Sequence, residues 1–200
     1  MKLYHGSLTK ITDKYLQPNQ AFALKDYLPR ISFSKRYEVA LLYALTPIRA
    51  FLKKKNLKVF SPQFSCHIDF STNPITIYEL YENMFLDLFQ EKCYIYICDS
   101  PETLVEVTEN QEYIVSTPQE IVDIIEIDNF FEELKNLEKK GLIQIQYFND
   151  WDYHKHKNYI EDYVAYRIAY CNTKEELEFF IENFKGYSAI DIEIKKKNGK

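Results

Sequence analysis

Residues 110–115 read Asn-Gln-Glu-Tyr-Ile-Val, and Gln119 follows just beyond a Thr-Pro step. Tyr113, Ile114 and Val115 are aromatic or β-branched, the side chains that suit a pleated, half-buried surface, so a strand is expected over Glu112–Ser116. A Glu that opens a strand is ordinarily solvated, and Glu112 gains meaning only from what stands elsewhere in the chain. Two more strand-like runs flank it, Cys93–Cys98 before and Ile121–Ile127 after.

Toward the amino terminus, Lys2–His5 alternates as a short strand that is expected to stop at Gly6-Ser7. The missing β-carbon there allows a tight turn or a close backbone approach to a ligand. The segment to Pro18 reads as a short helix and a turn. Pro29 then precedes a strand, Arg30–Ser34, and Ser34 is placed to cap the next helix. That helix carries Tyr37, Ala40, Leu41, Tyr43, Ala44 and Leu45 at helical spacing until Thr46-Pro47 stops it and starts another. Ser65–Phe70 reads as a strand. Asn73-Pro74 is a helix-start signal, and Ile77, Tyr78, Tyr81, Met84, Phe85, Leu88 and Phe89 mark the buried face of a helix expected to run to about Lys92.

After Asp128 the texture changes. Phe130–Lys140 is a charged amphipathic helix ended by Gly141, and Leu142–Phe148 alternates as a strand. Helices are expected over Lys155–Tyr170 and, behind the capping box Thr173–Glu176, over Lys174–Phe184, with a last strand at Ala189–Ile194. Short strands interrupt helices without regular βα alternation, which favours an α+β fold over a doubly wound one. The expected organisation is a main domain over residues 1–128 and an α/β extension over 129–200 packed against it.

The 200 residues are 46% hydrophobic and 28% charged, an ordinary globular balance. The net charge of −5 disfavours a nucleic-acid partner, whose phosphates are held by accumulated Lys and Arg. The lysine clusters at 53–58 and 195–200 read as solvated faces. Cys66, Cys93, Cys98 and Cys171 form no CxxC pair, and His67 lacks a second ligand pair, so reduced structural thiols and no metal are expected. His154 and His156, near Trp151 and Asp152, would point to different faces of a helix and read as surface. No apolar run approaches the roughly 18 to 20 residues that span a bilayer, and no leader opens the chain. A cytoplasmic protein with no membrane partner is expected, with export by a leaderless route as the alternative. With only 4 glycines, neither a P-loop nor a dinucleotide-binding Gly-rich turn can be written.

Three stretches acquire significance together: Leu3–Ser7, then Ile31–Phe33 with Ala40–Tyr43, then Asn110–Val115. In this order and at these separations they resemble the poly- and mono-ADP-ribosyltransferase superfamily, in its branch with a His-Tyr-Glu type of active site, over about residues 1–127. The resemblance implies a split β-sheet core with flanking helices and NAD held as a substrate in a cleft between small sheets. It implies that His5 hydrogen-bonds a ribose hydroxyl, that the Gly6 backbone holds the nicotinamide amide, and that Ser7 supports them. Ser32 and Tyr43 fall where the family builds its nicotinamide slot. A rigid Tyr43 ring suits stacking on a flat cationic ring, although the same position also suits plain helix core. Ser32 departs from the His-Tyr-Glu pattern and is similar to the branch that carries Ser on this strand with Arg in place of the first His.

Glu112 matches the position of the catalytic Glu. A carboxylate there hydrogen-bonds the 2′-hydroxyl of the nicotinamide ribose and stabilises positive charge at C1′ as nicotinamide leaves. Glu106, Glu109 and Glu120 flank it, and the motif register favours Glu112. Asn110 stands where some transferases orient the acceptor with Gln or Glu, so the acceptor is not specified. Arg30, Lys35 and Arg36 are candidates for pyrophosphate contact. The function implied is NAD-dependent mono-ADP-ribosyl transfer to a macromolecular or small-molecule acceptor, by a toxin-like or phage-type effector among other settings. The rival readings are a binding module that keeps the fold without turnover, and an NAD glycohydrolase.

Overall fold

The structure, a computed structural model, describes residues 1–19, 29–45, 68–101, 105–106 and 112–150, with the helical positions 178 and 182. In chain order the strands are β1 (Lys2–Ser7), β2 (Tyr15–Leu16), β3 (Ile31–Ser34), β4 (Ile68–Asp69), β5 (Ile75–Tyr78), β6 (Cys93–Asp99), β7 (Val105–Glu106), β8 (Glu112–Val115), β9 (Gln119–Ile127) and β10 (Ile143–Gln146). The helices are α1 (Tyr37–Ala44), α2 (Met84–Leu88) and α3 (Phe130–Lys139). This is an α+β protein. Its main sheet has seven strands in the order β2-β9-β6-β1-β3-β8-β7, antiparallel at every pairing. A second sheet, β10-β5-β4, pairs β5 parallel to β10 and antiparallel to β4.

Alternation along β1 and β3 serves two cores. Leu3, Ile31 and Phe33 join Leu16, Tyr96, Tyr113 and Val115 on one face of the main sheet. The opposite face carries the larger cluster, in which α1 packs with β5, α2, α3 and β10. Eight residues are too few for a stable isolated helix, which needs about 12–15, so α1 is held by burial of Val39, Ala40, Leu41, Leu42 and Ala44. Each fully buried Leu, Val or Phe in such a core contributes about 1.5–3 kcal/mol relative to exposure. β6 is buried on both faces and therefore shows a continuous apolar run rather than alternation.

Local chemistry explains the helix ends. Ser34 Oγ accepts a hydrogen bond from the Arg36 backbone N–H at 3.0 Å, bracing the turn into α1, while Arg36 itself is the cap residue. Asn129 caps α3 by accepting from the Glu132 N–H at 3.1 Å. Gly141, at φ 70°, ends α3 with its N–H on the Glu138 carbonyl at 2.8 Å and the Leu142 N–H on the Leu137 carbonyl at 3.0 Å, the paired bonds of a Schellman motif.

Three expectations are corrected. Ile75–Tyr78 is a strand, not the start of a helix running to Lys92; the Ile-Thr-Ile run is β-branched and lies between β4 and β10, and only Met84–Leu88 is helical. Residues 8–18 contain no helix, and their one regular piece is β2. β1 does not stop before Gly6 but runs through Ser7, because β6 continues to pair with it. Phe130, Phe131, Leu134 and Leu137 of α3, with Ile143 and Ile145 of β10, share the larger core with α1. Among the described residues no helix is long and apolar enough to cross a membrane. The elements expected near 47–67 and beyond 150, with Cys66, His67, Cys171, His154 and His156, lie outside the described residues.

Candidate functional site

The two edges of β1 are paired very differently. Against β6 it registers residue by residue from Lys2↔Asp99 to Ser7↔Tyr94. Against β3 it registers only at Tyr4↔Ser34, and beyond that pair the strands part. The His5 imidazole bridges the opening: its Nδ1 lies 2.8 Å from the Ser32 carbonyl oxygen. A carbonyl only accepts, so Nδ1 carries the proton, and in the neutral ring Nε2 is the acceptor. Phe33 meets the His5 ring edge-on at 6.0 Å and Tyr96 lies 6.4 Å from it, which fixes the ring plane.

A cleft of about 480 Å³ occupies this opening, within the size range of small-molecule sites. His5, Gly6, Ser32, Tyr43 and Glu112 all line it. Ser7 does not; its Oγ accepts from the Thr9 N–H at 3.1 Å instead. Alternation makes the convergence of His5 and Glu112 informative. Leu3 and Tyr113 belong to the smaller core, so His5 shares the Leu3 face of the sheet. Glu112, next to Tyr113 and opposite Ser34 across the β3–β8 ladder, belongs to the α1 face. An unbroken β1–β3 ladder would keep these side chains on opposite sides of the sheet. The opening is what lets both reach one cavity.

Each remaining residue has a local reason for its place. A β-carbon on Gly6 would lie 2.1 Å from the Ala40 carbonyl oxygen and 2.7 Å from Ala44 Cβ, so glycine here admits α1 against β1. That packing also brings Tyr43 of α1 to the cleft, with Phe70 stacked on its ring at 5.2 Å and 15°. Glu112 is half-buried at the first position of β8. Of the flanking carboxylates, Glu120 is exposed and paired with Lys14 at 2.9 Å. Glu109 and Asn110 lie outside the described residues, as does the side chain of Glu106.

Of the three basic residues singled out for phosphate, Arg30 lines the cleft. Lys35 instead sits 4.2 Å from the centroid of the Tyr113 ring, and Arg36 pairs with Glu38 at 2.6 Å. Sequence reasoning missed the contribution of the segment before β3: Ile11, Asp13, Tyr15, Gln17 and Asn19 all line the cleft. Asn19 is held there by paired backbone hydrogen bonds with Arg30, both 3.0 Å. Nothing local announces this bridge, because its partner stands eleven positions further along the chain. Cys98 is not a nucleophile for this site: burial, and then the Asp99 charge, push its thiol up to about 12. Among the described residues no cluster of His, Cys, Asp or Glu is gathered as a metal site.

Chemically, the cleft combines two carboxylates, Glu112 and Asp13, an imidazole acceptor, two serines of β3, aromatic rings that include Tyr43, and a guanidinium. Carboxylate and imidazole acceptors together suit a ligand rich in hydroxyl donors. The Tyr43 ring suits a flat group and the guanidinium a phosphate. Neither protein-family models, nor curated proteins, nor solved structures match this chain.

Proposed function

We propose that the chain is an NAD-dependent mono-ADP-ribosyltransferase with the split-sheet fold of that superfamily. The observation that carries this reading is the convergence of His5 and Glu112 on one cleft at the break between β1 and β3. In the reaction, the bond from C1′ of the ribose to the nicotinamide ring nitrogen breaks and nicotinamide leaves with the electron pair. An acceptor nucleophile forms the new bond to C1′ and loses its proton.

Each residue then has a role. Glu112 accepts from the 2′-hydroxyl and stabilises charge developing at C1′. His5, its tautomer set by the Ser32 carbonyl, accepts a ribose hydroxyl through Nε2. Tyr43, backed by Phe70, stacks on nicotinamide, and the Gly6 backbone and Ser32 complete that slot. Arg30 lies toward the pyrophosphate.

The test is release of nicotinamide and transfer of label from NAD to proteins of a cell extract. Glu112→Gln is expected to lower both by about 10²–10³-fold while leaving the melting temperature unchanged. Wild-type rates in that variant would remove Glu112 from the mechanism. Ser32, in place of the Tyr of the His-Tyr-Glu pattern, favours a second reading as a binding module, for which NAD would bind without nicotinamide release. Release into water without label transfer would mark a glycohydrolase.

A further inference from the structure

Tyr96 lies in the middle of β6, fully buried, where a phenylalanine would fill the same space. It is the register partner of His5 and stacks beside Tyr94 at 6.4 Å. A hydroxyl in such a place is costly unless partnered, and its partners are backbone groups of the segment that follows β1. The phenol oxygen accepts from the Ile11 N–H at 2.5 Å, and its proton goes to the Thr9 carbonyl at 3.1 Å. Two bonds from one atom thus cinch residues 9–11 against the sheet. On the outer side Lys10, between them in sequence, pairs with Glu126 and lies 5.9 Å from the Tyr94 ring centroid.

From the cinch onward the chain supplies Ile11, Asp13, Tyr15 and Gln17 to the cleft. Of this lining, Ile11 packs beside Leu16 on the Leu3 face of the sheet, the face of His5. Tyr43 and Ala40 reach the cleft from the opposite face, on α1. A ligand that spans the opening therefore meets the 9–17 segment with one half and the α1 slot with the other. We infer that Tyr96 is a positioning residue, whose hydroxyl holds the 9–17 segment over the opening and so sets how tightly the dinucleotide is gripped beyond its nicotinamide end. The ligand half of this inference rests on the function proposed above.

The test compares wild type with Tyr96→Phe, which keeps the ring and deletes both bonds, and uses Tyr94→Phe as a control. Amide hydrogen exchange over residues 8–17 reads the cinch without any ligand, and calorimetry with NAD and with nicotinamide alone reads its consequence. Tyr96→Phe is expected to speed exchange across 9–11 and to raise the Kd for NAD about fivefold, a change of the size of one net hydrogen bond. The Kd for nicotinamide and the kcat for its release from NAD stay at the wild-type value, as does everything in Tyr94→Phe. Unchanged exchange in Tyr96→Phe would overturn the cinch itself. Equal weakening of NAD and nicotinamide would overturn the division of the cleft. A wild-type protein that binds neither ligand overturns the proposed function and the ligand half of this inference, a result that the exchange data separate from failure of the cinch.

Discussion

Along its β6 edge β1 is a closed ladder, registered from Lys2↔Asp99 to Ser7↔Tyr94; along its β3 edge it is joined at Tyr4↔Ser34 and then open. The same strand thus serves a core along one edge and, through Tyr4, His5 and Gly6, a cavity along the other. Backbone groups inside a protein need partners, and at the open edge the His5 imidazole takes the Ser32 carbonyl that a neighbouring strand would otherwise engage. Side chains from both faces of the sheet reach the cavity only because the ladder stops. The closed edge should therefore govern stability and the open edge ligand binding, and substitutions on each side can break that division.

The largest effect is expected at the closed edge. Ile95, fully buried and the register partner of Gly6, should cost about 3–4 kcal/mol as Ile95→Ala, read by denaturant unfolding. The folded fraction should bind NAD with unchanged affinity, and a weakened Kd there would break the division. Gly6→Ala should come next, at about 3 kcal/mol, because the new methyl meets the Ala40 backbone. A fall in melting temperature of about 6–12 °C is expected, together with loss of ligand, since α1 lines both regions. His5→Ala probes the open edge, where the imidazole holds the Ser32 carbonyl. It should weaken NAD about tenfold and lower stability by only about 1 kcal/mol, as measured by calorimetry and thermal melting.

The smallest effect concerns the exposed pair of Lys10 and Glu126. The Glu126 carboxyl is held below its ordinary range, first by the hydrogen bond from Lys10. A carboxylate depressed on folding contributes stability that is present above its unfolded pKa and lost as pH falls through its folded pKa. Both groups are exposed, so Lys10→Met should shift only the acid limb of the stability–pH curve, slightly, and the difference should vanish in about 1 M salt.

Much of this architecture can be read in the chain before any coordinates. β3, β6, β8, β9, α1 and α3 stand out because their apolar spacing, β-branched runs and caps agree with one another. The failures share a cause. Ile77, Tyr78, Tyr81, Met84 and Phe85 are spaced as one helical face, yet β10, more than sixty positions downstream of β5, claims Ile75–Tyr78 as a strand. Leu8, Ile11, Tyr15 and Leu16 also fall at helical intervals. The backbone groups of Thr9 and Ile11 instead bond to Tyr96, a partner that no local pattern can reveal. The resemblance points to His5, Gly6, Ser32, Tyr43 and Glu112, which line the cleft, and to Ser7, which does not, whereas Asp13, Tyr15 and Gln17 enter it through the long-range placement of the 8–19 segment.

The account depends on His5 and Glu112 serving one sugar. The most direct measurement is a crystal structure of the Glu112→Gln variant soaked with NAD, in which turnover is suppressed and shape is kept. The account predicts the nicotinamide ribose in the β1–β3 opening, with His5 Nε2 and the position-112 amide each about 3 Å from its hydroxyls. A dinucleotide bound elsewhere, or one whose ribose touches only one of the two side chains, would contradict it.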